Sequence, residues 1–248
     1  TIVRVSLVRS RGRDGMSMRN KFRHIMNFCL VLFFQWFVMQ PIAAQVNTPS
    51  EASIFRLLPE IQSFSQWDSE NSAPESAVLF VGSSSINYWK TKTAFPDIAV
   101  INRGFGGATA PDIWHFYDQL ITPYKPRLIV LFVGTNDIAA GYSPEQIAEN
   151  IRSLISRMLV DLPNTKVIYL AISPTQLRWH SWHKSARVNK SIENFASETQ
   201  RVRFLDTASA LLTESGQPNR QLFLDDGLHL NQQGYAIWEH LLAPYLKP

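Results

Sequence analysis

At 248 residues, with 45% hydrophobic and 18% charged side chains, the chain has the composition of a globular protein, long enough for one domain with a substantial core and too short for two large ones. Its formal charge of +4 is confined to one end: residues 1–44 hold seven of the 24 basic residues and one of the 20 acidic ones, so the remainder carries a net −2 and no nucleic-acid partner is expected. The only cysteine, Cys29, lies in that same segment, which excludes cysteine catalysis and thiolate metal sites from the rest of the chain.

The first predicted element is a leader. A basic stretch ends near His24, an apolar run follows from Cys29 to Met39, and Pro41-Ile42-Ala43-Ala44-Gln45 leads into polar sequence. This is the anatomy of a secretory signal peptide. The apolar run is shorter than the ~20 residues of a membrane span. Residues 1–45 are therefore expected to be removed near Ala44, leaving an exported, periplasmic or secreted protein with no stable membrane insertion. Met16 or Met18 makes a more ordinary start than Thr1, so residues 1–15 are read as upstream sequence. Residues 46–76 are polar and broken by Pro49, Pro59 and Pro74, with one amphipathic piece around Ile54 to Phe64. They read as an extension packing on a domain formed by residues 77–248.

From Ala77 short apolar runs recur at 77–82, 98–102, 127–134, 166–172 and 202–206. They are continuous rather than alternating, as expected of strands covered on both faces. Helical spacing lies between and after them. Residues 145–160 set Ile147, Ile151, Leu154, Ile155 and Met158 on one stripe behind a Ser143-Pro144-Glu145 start, and 184–199 and 232–246 also read as helices. This alternation predicts an α/β fold, a three-layer sandwich around a parallel sheet.

Ligands gather at the carboxyl ends of strands in such sheets. Three polar or glycine-rich turns sit there: Ser83-Ser84-Ser85, Gly104-Phe105-Gly106-Gly107 and Gly134-Thr135-Asn136-Asp137. A serine becomes a nucleophile when a base takes its proton and donors stabilise the resulting oxyanion. The best base is His229 in Asp225-Asp226-Gly227-Leu228-His229, because Asp226 three residues earlier can orient the ring, with Asp225 as the alternative acid.

Four blocks in order resemble the SGNH (GDSL-like) hydrolases: Gly82-Ser83-Ser84-Ser85-Ile86, Asn102 to Gly107, Gly134 to Asp137, and Asp226 to His229. The resemblance implies a flavodoxin-like five-stranded parallel sheet and ester hydrolysis through an acyl-enzyme. By position it makes Ser84 the nucleophile, His229 the base and Asp226 its orienting acid. It makes the Ser84 and Gly107 amides and the Asn136 side chain the oxyanion hole. Two positions depart from the family pattern: Ser83 stands where an acid commonly precedes the nucleophile, and Ala108 where an acid often follows the glycines. Neither moves a proton.

The remaining polar residues receive quieter readings. Ser85 is expected to cap the following helix, Gly104 and Gly106 to allow a tight turn, and Asp137 to bond backbone. Tyr88 and Trp89 are expected to pack. His180 and His183 lack a nearby carboxylate and are not taken as metal ligands. Arg178, Trp179 and Trp182 are expected to form an aromatic lid that contacts substrate. The implied mechanism needs no metal or organic cofactor. The expected function is that of an exported serine esterase acting on a small-molecule or glycan ester, with O-acetyl groups on carbohydrate favoured. The alternatives are a lysophospholipase or thioesterase, an acyltransferase, and a noncatalytic carbohydrate-binding relative. The oligomeric state is left open.

Overall fold

The computed structural model describes residues 46–247, so the expected leader and its cleavage site lie outside the described residues. Five parallel strands, β1 (Val78–Gly82), β2 (Val100–Gly104), β3 (Leu128–Phe132), β4 (Lys166–Leu170) and β5 (Val202–Leu205), form one sheet in the order β2-β1-β3-β4-β5. This is the α/β three-layer architecture that the alternating runs predict.

The continuous apolar runs are explained by the two faces of the sheet. Leu79, Val81, Ile129, Leu131, Val167 and Tyr169 enter one core, while Val78, Phe80, Val130, Phe132, Ile168 and Leu170 enter the other. The first core is covered by α1 (Glu51–Glu70), α4 (Ala110–His115), α5 (Tyr117–Leu120), α7 (Pro144–Asp161) and α8 (Trp182–Ser197). The second is covered by the region of α2 (Ser84–Asn87) and α3 (Thr91–Ala94), with Trp89 and Phe95 buried, and by α9 (Gln232–Leu242), whose Trp238 is fully buried. A further short helix, α6 (Thr135–Ala139), follows β3. Among the described residues no helix is long and apolar enough to cross a membrane.

Helix α7 follows its sequence signals closely: Ser143 and Gln146 form a reciprocal capping box and Pro144 opens the first turn. Helix α9 ends at Leu242, short of the predicted 246, and the chain continues as a 3-10 turn through Pro244. Strand β2 runs two residues later than the predicted 98–102. Arg103, buried within it, is satisfied by donating to the Tyr124 hydroxyl at 2.7 Å and to Asp68 Oδ1 at 2.5 Å.

The largest difference concerns residues 46–76. Pro59 does not break the segment: α1 runs for 20 residues with Pro59 inside it, while Pro49 and Pro74 lie in the non-helical stretches that flank it. Ile54, Leu57, Ile61 and Phe64 form its inward stripe, and Pro59 is on the exposed side. The backbone bond that proline forfeits is thus lost away from the core. Burial of Leu57 and Ile61, worth ~1.5–3 kcal/mol each, keeps the helix docked.

Candidate active site

The strand order places the reversal of winding between β1 and β3: from β1 the chain first moves outward to β2, then crosses back to β3. A crevice forms outside the carboxyl ends of strands at such a reversal. Ser84 follows β1 and Asn136 follows β3, so the topology brings both to this crevice.

Gly82 ends β1 at φ +154°, with the Ser83 N–H donating to Phe132 O at 3.1 Å. A Cβ at Gly82 would lie 2.1 Å from that carbonyl oxygen, so only glycine lets β1 turn against β3 and present Ser84 as the first residue of α2. The Ser84 Oγ lies 2.8 Å from His229 Nε2. His229 Nδ1 lies 2.6 Å from Asp226 Oδ2. Asp226 Oδ1 accepts the N–H groups of Leu228 and His229 at 2.8 and 2.9 Å, which locks the turn carrying both residues. Burial alone raises the Asp226 carboxyl, but the His229 ring and those two backbone donors outweigh it and hold it at about 2. An ionised carboxylate only accepts, so Nδ1 carries the proton and Nε2 accepts from the Ser84 hydroxyl. Asp226 is the partner rather than Asp225, whose side chain makes no contact with the ring.

The predicted oxyanion donors are the Ser84 and Gly107 N–H groups and the Asn136 side chain. Among the described residues, neither the Ser84 nor the Gly107 N–H has an acceptor. Gly107 adopts φ +73°. The Asn136 Nδ2 donates to Ala108 O at 3.0 Å, which leaves its second hydrogen free.

Asp137, next to Asn136, is wholly buried and accepts the Ala110 N–H at 2.9 Å through Oδ1, while Oδ2 has no partner among the described residues. Burial pushes its carboxyl up from 3.8 to about 7, against the lowering effect of the Ala110 N–H. Between those two values the folded chain keeps a proton that the unfolded chain has released, so stability falls as pH rises through that window. Asp137→Asn is expected to flatten this fall. Melting curves at about pH 5 and about pH 8 check it: the wild type should lose more stability than the variant on going to the higher pH, and equal losses would assign the slope elsewhere.

Other predicted residues are placed differently. Ser85 does not cap α2; the cap is Ser83, without a side-chain bond, and Ser85 is held by its carbonyl accepting the Tyr235 hydroxyl at 2.8 Å. Trp89 packs in the core as expected, but Tyr88 is 54% exposed, with its ring centroid 4.7 Å from that of His229. It sits one helical turn beyond Ser84, and that i to i+4 relation was the signal available in the sequence. Arg178 does not stand free above the crevice: its guanidinium bonds the Thr135 backbone and hydroxyl and the Asn136 Oδ1. Trp179 and Trp182 stack on each other at 5.9 Å and 14° between planes, each partly exposed. His180 and His183 are exposed.

Comparison with known proteins matches residues 86–237 to the model of the GDSL-like Lipase/Acylhydrolase family, a segment that begins two residues after Ser84. Human platelet-activating factor acetylhydrolase IB subunit alpha2 is 28% identical over 203 residues, spanning 75% of this chain and 85% of that protein. A GDSL-like lipase from Bacteroides thetaiotaomicron superposes with a TM-score of 0.66 at 22% identity, covering 75% of this chain and 96% of the other. A catalytic mutant of an acetylxylan esterase from Geobacillus stearothermophilus superposes with a TM-score of 0.58 at 15% identity, covering 71% and 97%. Both superpositions speak for the fold.

Proposed function

The chain belongs to the GDSL-like lipase/acylhydrolase family and is an ester-bond hydrolase, and from this premise we propose that it is an exported serine esterase removing small acyl groups, O-acetyl groups of carbohydrates above all. The observation that carries the reading is the continuous hydrogen-bonded line from Asp226 through His229 to Ser84. In the proposed reaction the Ser84 Oγ attacks the ester carbon while His229 Nε2 takes its proton. The carbonyl oxygen, now negative, is held by the Ser84 and Gly107 N–H groups and by the Asn136 amide. His229 then gives the proton to the departing alcohol, leaving an acyl-enzyme. A water molecule, deprotonated by the same nitrogen, attacks the acyl carbon, releases the acid and restores Ser84. Asp226 stays ionised throughout and stabilises the imidazolium.

The preference for acetyl groups is supported by two comparisons: the human relative is named an acetylhydrolase and the Geobacillus structure an acetylxylan esterase. The carbohydrate is supported by the partly exposed tryptophan pair, since flat indole faces suit sugar rings. A lipid acetyl ester is the second reading, favoured by the name of the human relative and by exposed Leu177, Leu224 and Tyr88 on the loops and helix next to His229.

The test combines active-site labelling with a substrate series. A fluorophosphonate is expected to label Ser84, and kcat/KM is expected to be highest for acetate along p-nitrophenyl esters of increasing chain length, with acetate released from acetylated xylan. A rise in kcat/KM with acyl length, and no release from xylan, would favour lipid substrates. Absence of labelling and turnover would leave only glycan binding.

A further inference from the structure

Two of the three oxyanion donors proposed above have an arginine bonded to the far end of the same amide. The Gly106 carbonyl and the Gly107 N–H are the two ends of one planar peptide group. Arg56 Nη1, from α1, donates to Gly106 O at 3.0 Å, and its Nη2 reaches Gly107 O at 3.4 Å. One turn later on α1, Glu60 Oε2 accepts the Gly106 N–H at 3.0 Å while its Oε1 accepts from the Asn87 side chain at the end of α2. The glycine turn is thereby tied to the helix that begins with Ser84.

The second amide is the side chain of Asn136. Arg178 Nη1 and Nη2 each donate to its Oδ1 at 3.2 Å, and Nη1 also donates to Thr135 O at 2.5 Å and Thr135 Oγ1 at 3.1 Å. A guanidinium can only donate and the Ala108 carbonyl can only accept, so together they determine which way the Asn136 amide faces. Among the described residues no carboxylate lies within ion-pair distance of Arg56 or Arg178. Arg178 is half-buried, and burial pushes its pKa below the ordinary arginine value. A half-buried cation without a counter-charge is costly to keep. That cost is offset where a negative charge develops nearby during the reaction.

We propose that Arg56 and Arg178 are positioning residues of the oxyanion hole, each bonded to the oxygen end of an amide whose N–H end serves the reacting carbonyl, so that each fixes its amide and strengthens it as a donor. The mechanism is polarisation: a charge-assisted bond to the carbonyl oxygen draws electron density from the nitrogen and makes the N–H more acidic. Its benefit grows with charge on the ester oxygen, so it acts on kcat rather than on substrate binding. The proposal rests on the oxyanion assignment of Gly107 and Asn136. Helix α1 precedes the segment that matches the family model, so Arg56 is supplied from outside it.

Arg56→Gln, Arg178→Gln and Arg178→Lys, each compared with wild type in melting temperature, kcat and KM on an acetyl ester, and affinity for an alkyl boronic acid that forms an anionic tetrahedral adduct on Ser84, test this. Arg178→Gln is expected to lose about tenfold or more in kcat with KM little changed, and the exposed Arg56→Gln about threefold, since solvent weakens its bond. Boronate affinity should fall by the same factors, and Arg178→Lys should recover part of the loss. Unchanged kcat in folded variants, or a loss confined to KM, overturns the proposal. If Arg178→Gln does not fold, Arg56→Gln and Arg178→Lys decide by the same criteria. A wild type that labels with fluorophosphonate while the variants keep full kcat overturns this proposal alone, and a wild type that does not label overturns the oxyanion reading with it.

Discussion

Ser84→Ala is expected to lower kcat on p-nitrophenyl acetate by a factor on the order of 10⁴ or more and to abolish fluorophosphonate labelling. His229→Ala should fall nearly as far, and the double variant no further, because nucleophile and base act as one unit. The Ser84 hydroxyl has His229 as its only hydrogen-bond partner among the described residues, so its removal leaves the fold almost untouched. A melting temperature close to that of the wild type should accompany the inactive variant. Substantial turnover by Ser84→Ala would refute the acyl-enzyme.

Asp226→Asn should cost on the order of 10³- to 10⁴-fold in kcat although it changes one atom. The side-chain oxygen of asparagine still accepts from the Leu228 and His229 N–H groups. The amide nitrogen, however, donates where Asp226 Oδ2 accepted, and it meets Nδ1 of the ring 2.6 Å away. The imidazole then moves its proton to Nε2, which faces Ser84 with a hydrogen instead of a lone pair. Losing one charge-assisted bond would account for ~1.5–3 kcal/mol, a loss of about ten- to 150-fold in rate, so a larger loss identifies the tautomer as its cause. The measurement is kcat with the histidine ring followed by nitrogen NMR: a proton still on Nδ1 in the variant would contradict this account. Because Asp226 is held at about 2, below its unfolded value of 3.8, its favourable contribution to folding is present above that unfolded value and is lost as pH falls through 2.

The sheet was legible because both its faces are buried: runs such as Leu128 to Phe132 have no polar side to hide, and their order along the chain forces parallel crossovers. Ser84, Asn136, Asp226 and His229 were legible because each sits on a short turn with its own local pattern. Residues that depend on docking between distant segments were not. Arg56 meets Gly106 across 50 residues, and nothing in the periodicity of either segment points to the other. Helix α1 was obscured by Pro59, whose effect on a helix depends on the side it faces. Arg178 was recognised as part of the crevice but aimed at substrate, since the Asn136 oxygen that holds it lies 42 residues away in the chain.

The neighbourhood of Arg178 and Trp179 couples two properties that a protein engineer would prefer to vary separately. One residue grips Asn136 and the next begins the stacked indole pair, on a stretch further tied to the histidine turn by the Leu177 N–H donating to Gly227 O at 3.0 Å. Lengthening this stretch to admit a bulkier substrate is expected to pull on the guanidinium and on the His229 turn at once. Broadened substrate scope in this scaffold is therefore expected to come with slower turnover, unless the insertion is made beyond Trp182.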